Sequence, residues 1–243
     1  MIERWQRIPI RWKASGALLV VLGLLTGLWG SLGWPWPTRE LAFRMAERAR
    51  AFGPGEIVAQ GELTYAHDWD GAPKGWMVSR SGDAFLVLDL YRRWGLWYAE
   101  PYLGGGEAWT AEGSAPLGSV PLTDERYTST AIESGEEPFS WRERWTEEVA
   151  VLSGDPEIVR VEAYVASRYF FYNGDWEARR EMEVQSPVVE ARPVGEGVYL
   201  ASIPCEEPPE TQAYNGWSRS STTVVRGYDA AGALVYDSSA EEG

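Results

Sequence analysis

SWRERWTEEVAVLS, residues 140–153, is the stretch on which the reading of this chain turns. Ser140 followed by Glu143 forms a capping box, in which hydroxyl and carboxylate each satisfy a backbone N–H at a helix start. Trp141, Trp145, Val149 and Leu152 then recur at helical spacing, and Ser153-Gly154-Asp155-Pro156 supplies the stop. The expectation is a helix there. Just downstream, Gly154-Asp155-Pro156-Glu157-Ile158-Val159 echoes Gly53-Pro54-Gly55-Glu56-Ile57-Val58, 101 residues earlier. The earlier peptide also follows an expected helix: Thr38 caps it, Leu41, Met45, Ala49 and Phe52 mark its apolar face, and Arg39, Arg44, Arg48 and Arg50 lie on its other faces. The fold class that follows is α+β, mostly antiparallel β: an N-terminal transmembrane helix, then two helix-plus-β-sheet units, the second a β-sandwich.

Outward from these two helices the pattern changes to short strand-like runs. In the first unit, residues 55–110, strands are expected at Glu56–Tyr65, Gly75–Arg80, Ala84–Tyr91 and Leu96–Leu103, with Asp70-Gly71, Ser81-Gly82-Asp83 and Gly104-Gly105-Gly106 as turns. Residues 111–138 are poor in large aliphatics and rich in Ser, Thr, Gly, Pro and Glu, and read as a linker or long loop with at most one weak strand. In the second unit, 139–239, strands are expected at Ile158–Ala166, Arg168–Tyr172, Glu181–Val184, Val188–Ala191, Gly197–Ile203, Thr222–Tyr228 and Ala233–Tyr236, which suggests a sandwich. The closing run from Val225 to Asp237 is a hairpin around a glycine-containing turn, and it resembles the final hairpin of exported bacterial β-sandwich modules. Residues 240–243 form a tail.

Charge divides the 243 residues unevenly. Residues 1–37 carry Arg4, Arg7, Arg11 and Lys13 against Glu3, net +3, which leaves −17 for the rest of a chain whose total is −14. So negative a body repels phosphate backbones, and nucleic-acid binding is excluded as an expectation. No charge falls between Ala14 and Trp34, and 21 helical residues span roughly 31 Å, the thickness of a hydrocarbon core. The reading is a single-pass cell-membrane protein anchored in the lipid bilayer through residues 14–34. The basic tail 1–13 is cytoplasmic, 35–54 form a juxtamembrane helix, and the C-terminal domain is extracytoplasmic. Trp5 and Trp12, then Trp34 and Trp36, suit the two headgroup layers. Gly23, Gly27 and Ser31, four apart, form a small-residue ridge for membrane-helix packing, and through it a homodimer.

Chemistry is sparse. One histidine, His67, and one cysteine, Cys205, leave no ligand set for zinc and no internal disulfide. No cofactor and no catalytic residue is expected. Asp68 and Asp70 before Gly71 are weak candidates for a divalent metal, since the later ligands of a calcium loop are missing. Gly104-Gly105-Gly106 lacks the lysine of a phosphate loop. Nine tryptophans follow residue 37. Trp141 and Trp145 belong to the expected helix face, and Trp94 and Trp97 to sheet packing, whereas Trp69, Trp176 and Trp217 sit in or beside turns and are the candidate binding surface. The expected function is a non-enzymatic binding or assembly module of the bacterial cell envelope, with an envelope protein or glycan as partner. The alternative is a carbohydrate-binding or glycoside-cleaving surface protein. A concave groove with two carboxylates and a tryptophan platform would favour the alternative.

Overall fold

The computed structural model describes residues 10–31, 35–62, 74–99, 108–110, 115–122, 130–132, 141–173, 177–208, 210 and 216–240. Two helices, α1 (Ile10–Ser31) and α2 (Arg39–Ala49), precede β1 (Glu56–Glu62), β2 (Lys74–Ser81), β3 (Ala84–Arg93), β4 (Leu96–Ala99) and β5 (Ala108–Thr110). Then come β6 (Leu117–Pro121), β7 (Thr130–Ile132), β8 (Trp141–Ser153), β9 (Arg160–Tyr172), β10 (Arg180–Gln185), β11 (Val189–Gly195), β12 (Val198–Glu206), β13 (Gly216–Tyr228) and β14 (Leu234–Asp237). The first five strands form one antiparallel sheet, β1-β2-β3-β4, with β5 also on β3. The other nine form a second, in the order β14-β13-β9-β11-β12-β8-β6, with β10 also on β9 and β7 also on β8.

Where a helix is expected at 140–152, Trp141–Ser153 is a strand, and the description as two helix-plus-β-sheet units is corrected accordingly. A four-residue step is close to one helical turn, but it is also twice the strand period, so Trp145 and Val149 share a face either way. In β8 that face carries Trp145, Val149 and Val151 into one core, while Ala150 and Leu152 enter another on the opposite side. A strand covered on both faces shows a continuous apolar run, here Val149 to Leu152, with no alternation to betray it. Residues 111–138 hold two strands, β6 and β7, both laid against β8. The peptides Gly53–Val58 and Gly154–Val159 therefore follow different elements, a helix in one case and a strand in the other.

Four layers stack through three cores. Ala42 and Phe43 of α2 pack on Met77, Leu86, Leu88 and Leu90 of the first sheet. The other face of that sheet, through Ala59, Trp76, Val78, Phe85 and Val87, meets Val120, Leu122, Ala150, Leu152 and Val198 of the β6-β8-β12 layer. The opposite face of that layer, through Leu117, Trp145, Val149, Val151, Tyr199, Ala201, Ile203 and Cys205, packs on Val161, Ala163, Val165 and Val225 of β9 and β13. The nine-stranded sheet thus bends back on itself, and β11 makes the bend: Val189–Ala191 pair with β9, and Arg192–Gly195 with β12. At Gly195 the chain passes so close to β1 that a Cβ would collide with the Val58 carbonyl. Glycine is required there by sterics.

Thr38 caps α2 as expected, its hydroxyl accepting from the Leu41 N–H at 3.2 Å. The buried face is different, however: Ala42, Phe43 and Glu47 point inward and Leu41 is exposed. Glu47 accounts for the rotation. Its Oε1 accepts from Ser79 Oγ at 2.8 Å and the Gly55 N–H at 3.1 Å, and its Oε2 meets Arg44 at 2.9 Å, so this buried carboxylate ties the helix to the sheet. Arg39 likewise donates to the Gly61 carbonyl and to Gln60.

The membrane anchor expected over residues 14–34 is corrected: among the described residues, no helix is long and apolar enough to cross a membrane. Ser15, Gly16, Gly23, Thr26, Gly27 and Gly30 thin the apolar run of α1, and the helix takes in Arg11 and Lys13 near its start. Trp36, expected among headgroups, instead exchanges backbone hydrogen bonds with Trp97 at 2.7 and 2.8 Å and packs on the α2 core. The single-pass topology, the signal anchor and the extracytoplasmic placement rested on that span, and they fall with it.

Candidate functional site

β9 is the strand around which the candidate site is built. Its odd-numbered residues, among them Val161, Ala163, Val165, Tyr169 and Phe171, face inward and are buried. Its even-numbered residues face the other way, across a surface shared with β10 and β13. The pairing puts Gln185, Ala166 and Thr222 side by side, and in the next outward row Glu183, Arg168 and Ser220. Ala166 stands between Tyr164 and Arg168 along the strand, and the missing bulk leaves an open trough of about 550 Å³. Phe170, Glu183, Gln185, Ser220, Thr222 and Val224 line the rest of it.

Arginine–carboxylate pairs frame this face. Arg168 donates to Glu183 Oε1 from Nη2 at 2.8 Å and from Nε at 3.2 Å. Arg160 pairs with Glu162, Arg179 with Glu181 and Arg226 with Asp237. The guanidinium of Arg226 lies 5.2 Å from the Tyr164 ring and that of Arg179 lies 5.6 Å from Phe170, so the aromatic floor is also a cation–π surface. Tyr228 donates to Glu162 at 2.7 Å under the Arg160 guanidinium, and the hydrogen bond to that carboxylate raises its phenol above the ordinary range. Hydrogen bonds from Ser239, then Arg226, hold the Asp237 carboxyl below its ordinary value. By contrast, the side chains of Gln185, Ser220 and Thr222 make no hydrogen bond among the described residues, and all three are exposed. They are donors and acceptors open to a ligand.

On the inner side of the same strands a second polar cluster is closed on itself. Arg219 of β13 is nearly buried, 4.3 Å over the Trp145 ring and 3.8 Å from Glu147, and it is hydrogen-bonded to Tyr169. Trp145 Nε1 donates to the same Glu147 at 3.1 Å. Burial raises the Tyr169 phenol, and burial with the Glu147 charge pushes the Cys205 thiol up to about 12, far from the range of a reactive cysteine. These groups satisfy one another and bridge β8 to β9 and β13, which is a structural duty.

The residues singled out in the sequence are scattered. Asp68, Asp70 and Trp69 lie outside the described residues, as does Trp176. Trp217 is half-buried in β13, 5.7 Å from Tyr169 on the inner face, and does not reach the trough. Gly23 and Gly27 of α1 have open space where a Cβ would stand, and the Ser31 side chain is outside the described ones. Trp94, expected in sheet packing, is 72% exposed at the two-residue turn between β3 and β4, with positive φ at both Trp94 and Gly95. The trough residues were missed in the sequence because the expected strand began at Thr222, which left Ser218 to Ser221 outside it, whereas β13 runs from Gly216. The signal was the run of hydroxyl residues itself, which only strand register distributes to two faces. Comparison of the chain with family models, with curated proteins and with solved structures returns no match.

Proposed function

We propose that this chain is a non-catalytic binding module and that its ligand-receiving surface is the trough on the outer face of β10, β9 and β13. The supporting observation is the coincidence, in one concave place, of the half-buried Phe170 ring with three exposed polar side chains that no group among the described residues engages. A glycosidase needs two carboxylates facing each other across the cleft. Among the described residues Glu183 is the one carboxylate in the trough lining, and it is held by Arg168. That weighs against the glycoside-cleaving alternative and leaves binding as the reading. The bent nine-stranded sheet is best described, on the same footing, as a sandwich in which β9 and β13 form the outward layer, rigidly backed by the core behind them.

Ala166→Leu tests this directly. The added isobutyl group fills the centre of the trough from a position outside the cores, so stability should change by less than about 1 kcal/mol. A fragment library screened by amide chemical-shift perturbation should move resonances of 164–170, 183–185 and 220–224 in the wild-type protein and not in the variant. Shifts that cluster elsewhere, or that survive Ala166→Leu unchanged, would remove the trough from consideration.

A further inference from the structure

We infer that the trough takes a neutral, polyhydroxylated ligand, one or two sugar rings of a glycan, an inference that rests on the trough being the binding surface. Charge is the first argument. Arg168 and Glu183 are the charged residues of the lining and they neutralise each other, while the flanking Arg179 and Arg226 are each paired with a carboxylate. Among the described residues a phosphate, a carboxylate or a lysine-rich segment would find no uncompensated partner in this lining, and would have to break an existing pair to gain one.

Backbone accounting is the second. An extended peptide is usually captured by adding a strand at a sheet edge, through unpaired backbone N–H and C=O groups. Along Ala166–Phe171 the floor strand β9 is paired on both sides, with β10 and with β13. Nothing in this central strand is left for a peptide ladder, so recognition over Ala166 falls to side chains. Those on offer are the Ser220 and Thr222 hydroxyls, each donor and acceptor, the Gln185 amide, and the fork of the Arg168–Glu183 pair. Adjacent hydroxyls on a sugar ring present the same mixed donor–acceptor edge to such groups. The half-buried Phe170 ring supplies the apolar contact that a sugar's C–H face requires, above a buried Tyr164.

The register assigns roles. Gln185 and Thr222 flank the Ala166 dent in one row, and Glu183, Arg168 and Ser220 form the next. The ring therefore seats over Ala166, with hydroxyls reaching Gln185 on one side and Thr222 and Ser220 on the other.

The test is titration of the full chain, followed by amide shifts, with three probe sets. They are neutral hexasaccharides of glucose, mannose and N-acetylglucosamine, oligogalacturonate as the charged counterpart, and a pool of extended peptides. At least one neutral hexasaccharide should shift residues 164–170 and 220–224 at millimolar concentration or below. Gln185→Ala should weaken it about tenfold, the effect of one lost hydrogen bond left unpaired. Ala166→Leu should abolish it, and its affinity should vary less than about twofold as salt is raised to screen surface charge. If oligogalacturonate or peptides shift the trough and neutral sugars do not, the ligand class is wrong while the trough stands as a binding surface. If no probe set shifts it, the binding reading itself fails as well. Neutral sugars that bind with Gln185→Ala and Ala166→Leu unaffected would overturn the seating described here.

Discussion

β8 and β9 are both 13 residues long, both belong to the nine-stranded sheet, and they lie on opposite sides of one core, yet their sequences look nothing alike. β9 has one face in that core and one in the open, and its buried positions alternate along most of its length. β8 has a layer on each side, and from Val149 to Leu152 every residue is buried. The difference teaches what periodicity measures. It reports how many faces a strand shows to water, and a strand that shows none can pass for a helix when its tryptophans fall four apart. It also separates stability from recognition: the stretch Val149–Leu152 has no surface to offer, whereas the open face of β9 carries polar groups that engage no partner among the described residues.

Substitutions should divide along the same line. The largest effects are expected where layers meet. Leu152→Ala, at a fully buried side chain of β8, should cost about 3 kcal/mol in urea unfolding. Gly195→Ala should cost at least as much, because the new methyl group has to displace the β1 backbone. On the open face of β9, Phe170→Ala removes a half-buried ring and should cost about 1 kcal/mol, acting mainly on ligand binding. Equal losses at Leu152 and Phe170 would break the contrast.

A smaller effect is expected from Glu148 in β8, whose carboxyl burial raises above the ordinary 4.5. The folded chain then holds that proton more tightly than the unfolded chain does. This group's contribution is greatest below about pH 4.5 and is lost as pH rises through its raised value. Glu148→Gln should accordingly be more stable than wild type at neutral pH, with the gain vanishing in acid. A gain that grew in acid would contradict the burial argument. Asp237 runs the other way: its lowered carboxyl supports folding above the ordinary carboxylate range, and that support fades as pH falls through the lowered value, so hydrogen exchange in β14 should quicken in strong acid. Smallest of all, Cys205 should resist a thiol reagent at mildly alkaline pH until the chain is unfolded, since its thiol is pushed up to about 12.

Much of the β architecture was legible. The turns at Ser81-Gly82-Asp83 and at the final hairpin, the strands β2, β3, β10 and β14, and the Thr38 cap all follow from local chemistry, because a turn needs particular residues wherever it sits. The missed features depend on partners distant in sequence. Strand 141–153 needed β6 and β12 beside it, and the buried face of α2 was set by Glu47 meeting Ser79, 32 residues away. The trough was invisible for the same reason, since Ala166, Gln185 and Thr222 become neighbours only through the pairing of three strands.

By itself, then, the order of residues determined an antiparallel β protein with polar turns, an acidic body and one short capped helix, since those properties are settled by neighbours within a few positions. Tertiary structure alone decided that the first sheet and the β9–β13 layer stack on one middle layer, that β8 is a strand, and that a neutralised, hydroxyl-lined hollow opens on β9. Burial and register are properties of what lies alongside a segment, and a chain written in one dimension does not state what will lie alongside.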